Sequence, residues 1–184
     1  MSPFPFCVPP GVLAKQQPLN ETIWATADSL TTGWEDEGGA TADLWQSVDT
    51  DTNTDYVNRV TPVINSTVNL RFKLDTPTED PTSGQVVELK VLMEYVPVFD
   101  PLDNAPVAIL EIREGTSTAR ASTTGITVTA APSEESVFMT PTEINNVTDW
   151  SNLYAQFSST TTGNGVDQDV DYKIYRVRII FSET

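Results

Sequence analysis

The chain has 184 residues, which suits one domain, and its 26 Asp and Glu residues against 10 Lys and Arg give a net charge of −16. Most of such a surface repels the phosphate backbone of DNA or RNA, so we do not expect nucleic-acid binding. Histidine is absent and Cys7 is the only cysteine, which removes the commonest transition-metal ligand and any intramolecular disulfide.

Residues 1–21 are predicted to form an extended arm. The first ten residues contain four prolines, and no charged side chain precedes Lys15, a composition that favours an extended path without full sheet pairing. We expect the arm to dock on a neighbouring surface; the alternative is a disordered tail. The predicted anchoring residues are Phe4, Phe6, Val8, Val12 and Leu13.

The start of the chain lacks the basic region of a secretory signal. No apolar run approaches the roughly 20 residues that a membrane helix needs. We therefore expect neither export by such a signal nor a membrane partner.

Residues 22–184 are predicted to form one antiparallel β-sandwich. In chain order, the early segments predicted as strands are an edge strand at 21–30, a short strand at 44–48 and a strand at 67–75. The last has the cleanest alternation, with Val68, Leu70, Phe72 and Leu74 on one face.

The longest alternating runs, 86–96 and 171–181, are predicted to be the central pair of strands. In the second run, Lys173 and Tyr175 are placed on the same face as Val177. Shorter strands are predicted at 107–113, 119–122, 126–130, 137–139 and 153–158, with a helical turn within 141–153. About eight to ten short strands separated by Pro, Gly, Asp and Asn predict an all-β, antiparallel jelly-roll-like sandwich.

The loop Asp49-x-Asp51-x-Asn53-x-Asp55 repeats oxygen ligands at every second position, as the start of a calcium loop does. The glycine and the distal glutamate of that pattern are missing, so a polar surface loop is the preferred interpretation. A weak calcium site shared with Asp167, Asp169 and Asp171 is the alternative.

No catalytic residue, metal or cofactor is predicted. Without histidine, a serine or cysteine nucleophile would need a lysine or a carboxylate as its base. Phosphate-binding glycine loops and G-x-S-x-G elbows are also absent from the sequence. We therefore expect a protein that is not an enzyme.

Four tryptophans are candidates for stacking on sugar rings or for packing in the core. Core or seam packing is preferred for Trp34 and Trp45. Trp24 and Trp150 are the candidate glycan contacts.

The order of several short motifs resembles a module of tailed-bacteriophage virion proteins. These motifs are Gly33-Trp34, Leu44–Asp49, Thr54–Val57, Asp80-Pro81, Ile112–Gly115 and Thr140–Leu153. The likeness spans roughly residues 22–181, and the arm is a departure from the module.

The resemblance implies a jelly roll used in head decoration (cement) proteins or head fibres. It therefore implies a structural protein on the capsid exterior of a virion, with the arm docked on the major capsid protein, another virion protein or a sister subunit. A homo-oligomer is implied in the same way, with a trimer as one arrangement. The alternative function is a carbohydrate-binding module, or a fibre or adhesin component that contacts glycans.

Overall fold

The computed structural model describes residues 20–51, 54–59, 67–97, 106–160 and 170–183, and within these ranges most of the chain is β-strand. The predicted anchoring residues Phe4, Phe6, Val8, Val12 and Leu13 lie outside the described residues. Docking of the arm therefore stays a prediction. None of the described helices has the length and the apolar character needed to span a bilayer.

The described strands run antiparallel to their neighbours. They are β1 (Glu21–Leu30), β2 (Trp34–Asp36), β3 (Val57–Arg59), β4 (Thr67–Leu74), β5 (Gln85–Pro97), β6 (Val107–Glu114), β7 (Thr118–Ser122), β8 (Ile126–Thr127), β9 (Ser133–Phe138), β10 (Leu153–Thr160) and β11 (Val170–Glu183). One short helix, α1 (Pro141–Asn146), and two 3-10 turns, Leu44–Ser47 and Trp150–Asn152, complete the described elements.

The strands form two sheets that share β1. The first sheet has the order β9-β5-β11, and β11 then pairs with both β3 and the first half of β1; β2 pairs with β3. The second sheet has the order β1-β4-β10-β6-β7, with β8 also pairing with β6. This arrangement confirms the predicted jelly-roll-like β-sandwich.

Strand β1 was predicted as an edge strand, and each half of it does lie at a sheet edge with one paired neighbour; the prediction missed that the strand belongs to both sheets. Its residues Glu21–Trp24 pair with β11, whereas Ala25–Leu30 pair with β4. Register shifts after Ala25 and after Asp28 accompany the change of partner, as is usual where a strand passes from one sheet to another. The strand therefore joins the two sheets.

The predicted central pair is confirmed, because β5 and β11 are paired along nearly their whole lengths. The predicted phase of the second strand is wrong at its beginning. A register shift between Ile174 and Arg176 places Ile174 in the core, and Lys173 remains half-buried. A bulge of this kind displaces the alternation by one residue.

The core lies between the two sheets and includes most of the apolar strand residues. Trp34 and Tyr172, both without exposed surface, make edge-to-face contacts with Phe157 at centroid distances of 6.0 and 5.2 Å. The Trp34 indole also donates to the Asn69 carbonyl at 2.8 Å. The prediction that Trp34 packs in the core is confirmed; Trp45 is half-buried and packs against the core.

Residues 44–48 were predicted as a strand, but Leu44–Ser47 form a 3-10 turn. The carboxylate of Asp28 on β1 accepts hydrogen bonds from the backbone amides of Leu44 and Trp45 at 3.1 and 3.0 Å. Two of the amides that a helical turn leaves without partners are thereby satisfied. The sequence pattern does not contain this long-range contact.

The predicted helical turn is confirmed by α1 and the 3-10 turn at Trp150. The side chain of Thr140 accepts from the Glu143 amide, and the Glu143 carboxylate accepts from the Thr140 amide. This is a capping box with Pro141 at the first turn.

Candidate functional site

The outer face of the second sheet combines a connected set of polar side chains with an open hollow. Alternation along β4, β10 and β6 points most of the apolar residues into the core and leaves mostly polar residues outside, apart from Val107 and Ile109. Residues Arg71, Gln156 and Glu111 occupy directly paired positions on these three strands. The backbone register alone therefore brings a guanidinium, an amide and a carboxylate together.

These side chains form a hydrogen-bonded polar network, defined here as Arg71, Gln156, Glu111 and Arg113. The Gln156 amide donates to Glu111 at 3.0 Å and accepts from Arg71 at 3.4 Å. Arg113 donates to the same Glu111 oxygen at 2.6 Å. All four are half-buried, so the network is held in place and still reaches the surface.

Arg71 is held at one side of this face. Its Nε donates to the Ser29 hydroxyl at 3.1 Å, and its Nη1 donates to the Thr116 carbonyl at 2.8 Å. The guanidinium lies 5.8 Å from the ring centroid of Tyr154, within cation–π range. Partial burial lowers the pKa of Arg71, and the nearby positive charge of Arg113 acts in the same direction; the side chain remains charged at physiological pH.

A hollow of about 360 Å³ lies further along the same strands. Its lining includes Val107 and Ile109, which are 49% and 39% exposed, with Ser158 and Thr124 beside them. Ile109 precedes Glu111 by two positions on β6, a separation of about 7 Å. The apolar hollow and the polar network are therefore neighbours, and together they are referred to as the second-sheet site.

The outer face of the first sheet is built differently, because its charges compensate each other. The carboxylate of Glu134 contacts Lys90, Arg176 and Arg178 at 3.0–3.3 Å. Asp51 also contacts both arginines, at 3.4 and 2.8 Å. Burial would raise the pKa of Glu134, but the hydrogen bond from Lys90 and the charges of the three cations lower it.

The two tryptophans predicted as glycan contacts are not brought together. Trp150 is only 5% exposed and packs edge-to-face on Phe181 at 6.2 Å. Its ring is therefore unavailable to a glycan. The prediction that Trp150 contacts a glycan is wrong, because Trp150 is a core residue. Trp24 is half-buried on the outer face of the first sheet, 5.7 Å from the Arg178 guanidinium; its glycan contact stays a prediction.

In the acidic loop of residues 49–55, Asp51 contacts the first sheet. Asp51 forms the ion pairs with Arg176 and Arg178 given above, whereas Asn53, Asp167 and Asp169 lie outside the described residues. Within the part of the chain that the structure describes, no three acidic or thiol side chains are grouped to hold a metal ion. The weak calcium site stays a hypothesis.

No protein-family model and no curated protein matches this chain. Among solved structures, it is similar to a Stig cyclase from Fischerella sp. TAU, with 11% identity over 94% of this chain and 80% of the other, at a TM-score of 0.45. It is also similar to the CBM22-1 xylan-binding domain of Paenibacillus barcinonensis Xyn10C, with 14% identity, coverages of 91% and 98%, and a TM-score of 0.43. It is also similar to a family 30 carbohydrate-binding module, with 14% identity over 89% of this chain and 99% of the other, at a TM-score of 0.44.

Sequence reasoning missed the second-sheet site. The outward residues of β4 were visible in the alternation of 67–75, and those of β6 and β10 followed from the same period. The missing information was the strand order, because β4, β10 and β6 are far apart in the sequence and adjacent in the sheet. The register of these three strands places Arg71, Gln156 and Glu111 side by side, so that their side chains form one network.

Proposed function

We propose that the second-sheet site binds a glycan. The observation that carries this proposal is the polar network, already hydrogen-bonded on a rigid sheet and directly next to a hollow with exposed aliphatic side chains. Binding sites for small ligands are typically concave, of about 300–1,000 Å³, with a few fixed polar groups beside apolar surface. The hollow is within this range.

The polar network suits sugar hydroxyls, which both donate and accept hydrogen bonds. Glu111 offers carboxylate lone pairs, Gln156 offers an amide that can do both, and Arg71 offers planar donors. Because the side chains are already fixed by one another, binding orders few additional rotamers. The network therefore provides hydroxyl recognition at a small entropic cost.

The hollow supplies the apolar contact. Val107 and Ile109 expose aliphatic surface that water covers in the free protein, and the C–H face of a sugar ring could displace that water. With the hollow about 7 Å from Glu111 along β6, we expect neighbouring sugar units to occupy the hollow and the network.

A glycan array followed by calorimetry with the best ligand tests this proposal. We expect Gln156→Ala to weaken binding by about 1 kcal/mol, or about fivefold, since it removes hydrogen bonds to the ligand and frees Glu111 and Arg71. Ile109→Ser should weaken binding by loss of apolar contact.

Ile180→Ser is the matched control, because Ile180 is half-buried on the outer face of the first sheet. Equal loss of binding in the Ile109 and Ile180 variants would contradict a site on the second sheet. Loss of binding on Trp24→Ala alone would favour the first sheet instead.

The bacteriophage virion assignment rests on the sequence resemblance and stays a separate proposal, as does the absence of enzymatic activity. A glycan-binding face is compatible with an exposed virion component. Deleting residues 1–15 should abolish association with particles while the sandwich keeps its fold. Co-sedimentation of the truncated protein at the level of the full chain would disprove the anchoring role of Phe4, Phe6 and Leu13.

A further inference from the structure

Two neighbouring cations on the second sheet form no salt bridge within the part of the chain that the structure describes. Arg71 and Lys73 both point outward from β4, and among the described residues neither has a carboxylate within salt-bridge distance. Among the described residues, the acceptors of the Arg71 side chain are the neutral oxygens of Ser29, Thr116 and Gln156. Its charge is therefore held in position without a salt bridge, and Glu111 offsets it only at longer range.

The chain has 26 acidic residues and 10 basic ones, and four of its described cations form no salt bridge with another described residue: Arg59, Arg71, Lys73 and Lys173. On the first sheet, Lys90, Arg176 and Arg178 are each ion-paired with Glu134. Arg71 and Lys73 differ from Arg59 and Lys173 because they lie on the same face of the same strand, two positions apart.

The outward side chains of β4, β10 and β6 give the second-sheet site a local positive charge. They include three cations, Arg71, Lys73 and Arg113, and one carboxylate, Glu111, for a net charge of +2. At physiological ionic strength charges are screened over about 8 Å, so a ligand in contact with this face is governed by these groups more than by the distant acidic surface.

We infer that the glycan bound by the second-sheet site is acidic, with a carboxylate or sulfate placed between Arg71 and Lys73. This inference rests on the proposed function and adds the chemical class of the ligand. A guanidinium presents parallel donors to two oxygens of such a group, and an ammonium adds a mobile point charge. Tyr154 pairs with Lys73 across the strands and lies next to Arg71, so a sugar ring can lie against its surface while the anion is held.

The test is binding of the full chain to an array of paired glycans that differ only in their acidic groups, such as oligogalacturonides and their methyl esters. We expect the acidic member of a bound pair to bind at least about tenfold tighter than the ester, the size of one charge-assisted hydrogen bond. Lys73→Gln should remove most of this preference. Arg71→Lys, which keeps the charge and loses the planar donors, should reduce it partly.

Lys173→Gln is the matched control, because it removes the same charge from the outward side of β11, where Lys173 lies 4.4 Å from the Tyr56 ring centroid. It should leave the preference unchanged. Equal binding of acidic and neutral members, or binding of neutral members only, would overturn this inference and leave the glycan proposal standing. No binding to any glycan would overturn both.

Discussion

Replacing Glu114 by Gln should destabilise the sandwich far more than the same change at a surface ion pair. Glu114, only 9% exposed, lies at the end of β6. Its carboxylate accepts from Arg120 Nε at 2.6 Å and from the Thr148 amide and hydroxyl at 3.1 and 2.5 Å. It therefore joins β6 to β7 and to the segment between α1 and β10.

The expected loss follows from these contacts. Gln keeps the volume but has one acceptor oxygen, and its amide hydrogens face donors on Arg120 or Thr148. Breaking one member of a buried ion pair costs about 3 kcal/mol, and a domain of this size loses about 3 °C in Tm per kcal/mol. We therefore expect the Tm of Glu114→Gln to be lower than that of the wild type by about 9 °C.

Chemical denaturation at neutral pH measures this loss directly. Glu88→Gln is the control, because half-buried Glu88 contacts Lys90 at 3.5 Å and accepts from the Ser136 hydroxyl at 2.7 Å, a bond that glutamine can also accept, so the change should cost less than about 1 kcal/mol. If Glu114→Gln costs no more than Glu88→Gln, the reasoning about this buried carboxylate is wrong.

The pH dependence of stability tests the role of Glu114 a second time. Burial alone would raise the pKa of Glu114, but the hydrogen bonds from Thr148 and Arg120 outweigh it and hold the pKa below the usual 4.5. A carboxyl group with a depressed folded-state pKa stabilises the fold above its unfolded pKa and loses this effect as pH falls through the folded value. The difference between wild type and Glu114→Gln should therefore shrink below pH 4.5; a difference that is constant with pH would argue against a charged Glu114.

Three further predictions concern single contacts. Thr140→Ala should cost about 1 kcal/mol in urea denaturation because the capping box with Glu143 is lost; an unchanged midpoint would show that α1 is held by packing alone. Tyr172, hydrogen-bonded to Ser159 at 2.5 Å, has its pKa raised from 10.0 to about 12 by burial; because the neutral form is favoured in the fold, stability should fall between pH 10 and 12, with a smaller slope in Tyr172→Phe. Asp51→Asn should change stability by less than about 1 kcal/mol, since its side chain is 70% exposed; a larger loss by thermal melting would show that this surface cluster stabilises the sheet.

The sequence predicts the class of fold because the period-two alternation is a local property. The alternating residues of β4 and β5 identify strands without knowledge of their partners. The 3-10 turn at Leu44 could not be predicted in the same way, because it depends on a carboxylate sixteen residues away on β1. The local pattern of residues 44–48 favours a strand, whereas the hydrogen bonds to Asp28 favour the 3-10 turn that is observed.

The candidate site illustrates the same distinction for function. Aromatic side chains attract attention in a sequence because they are rare and large, yet Trp150 is needed inside the core. Arg71, Gln156 and Glu111 are ordinary residues at ordinary positions, and only the order of the strands makes them neighbours. Residue type alone therefore selected Trp150, which is a core residue, whereas strand order is needed to recognise the polar network.

The division of β1 between two partners has a mechanical consequence. Because Glu21–Trp24 are bonded to β11 and Ala25–Leu30 to β4, tension applied at Asn20 is transmitted to both layers through one continuous backbone. Force applied at that end therefore cannot separate one sheet without also acting on the other sheet. We expect force spectroscopy to record a single rupture, and two separate ruptures would show that the layers yield independently.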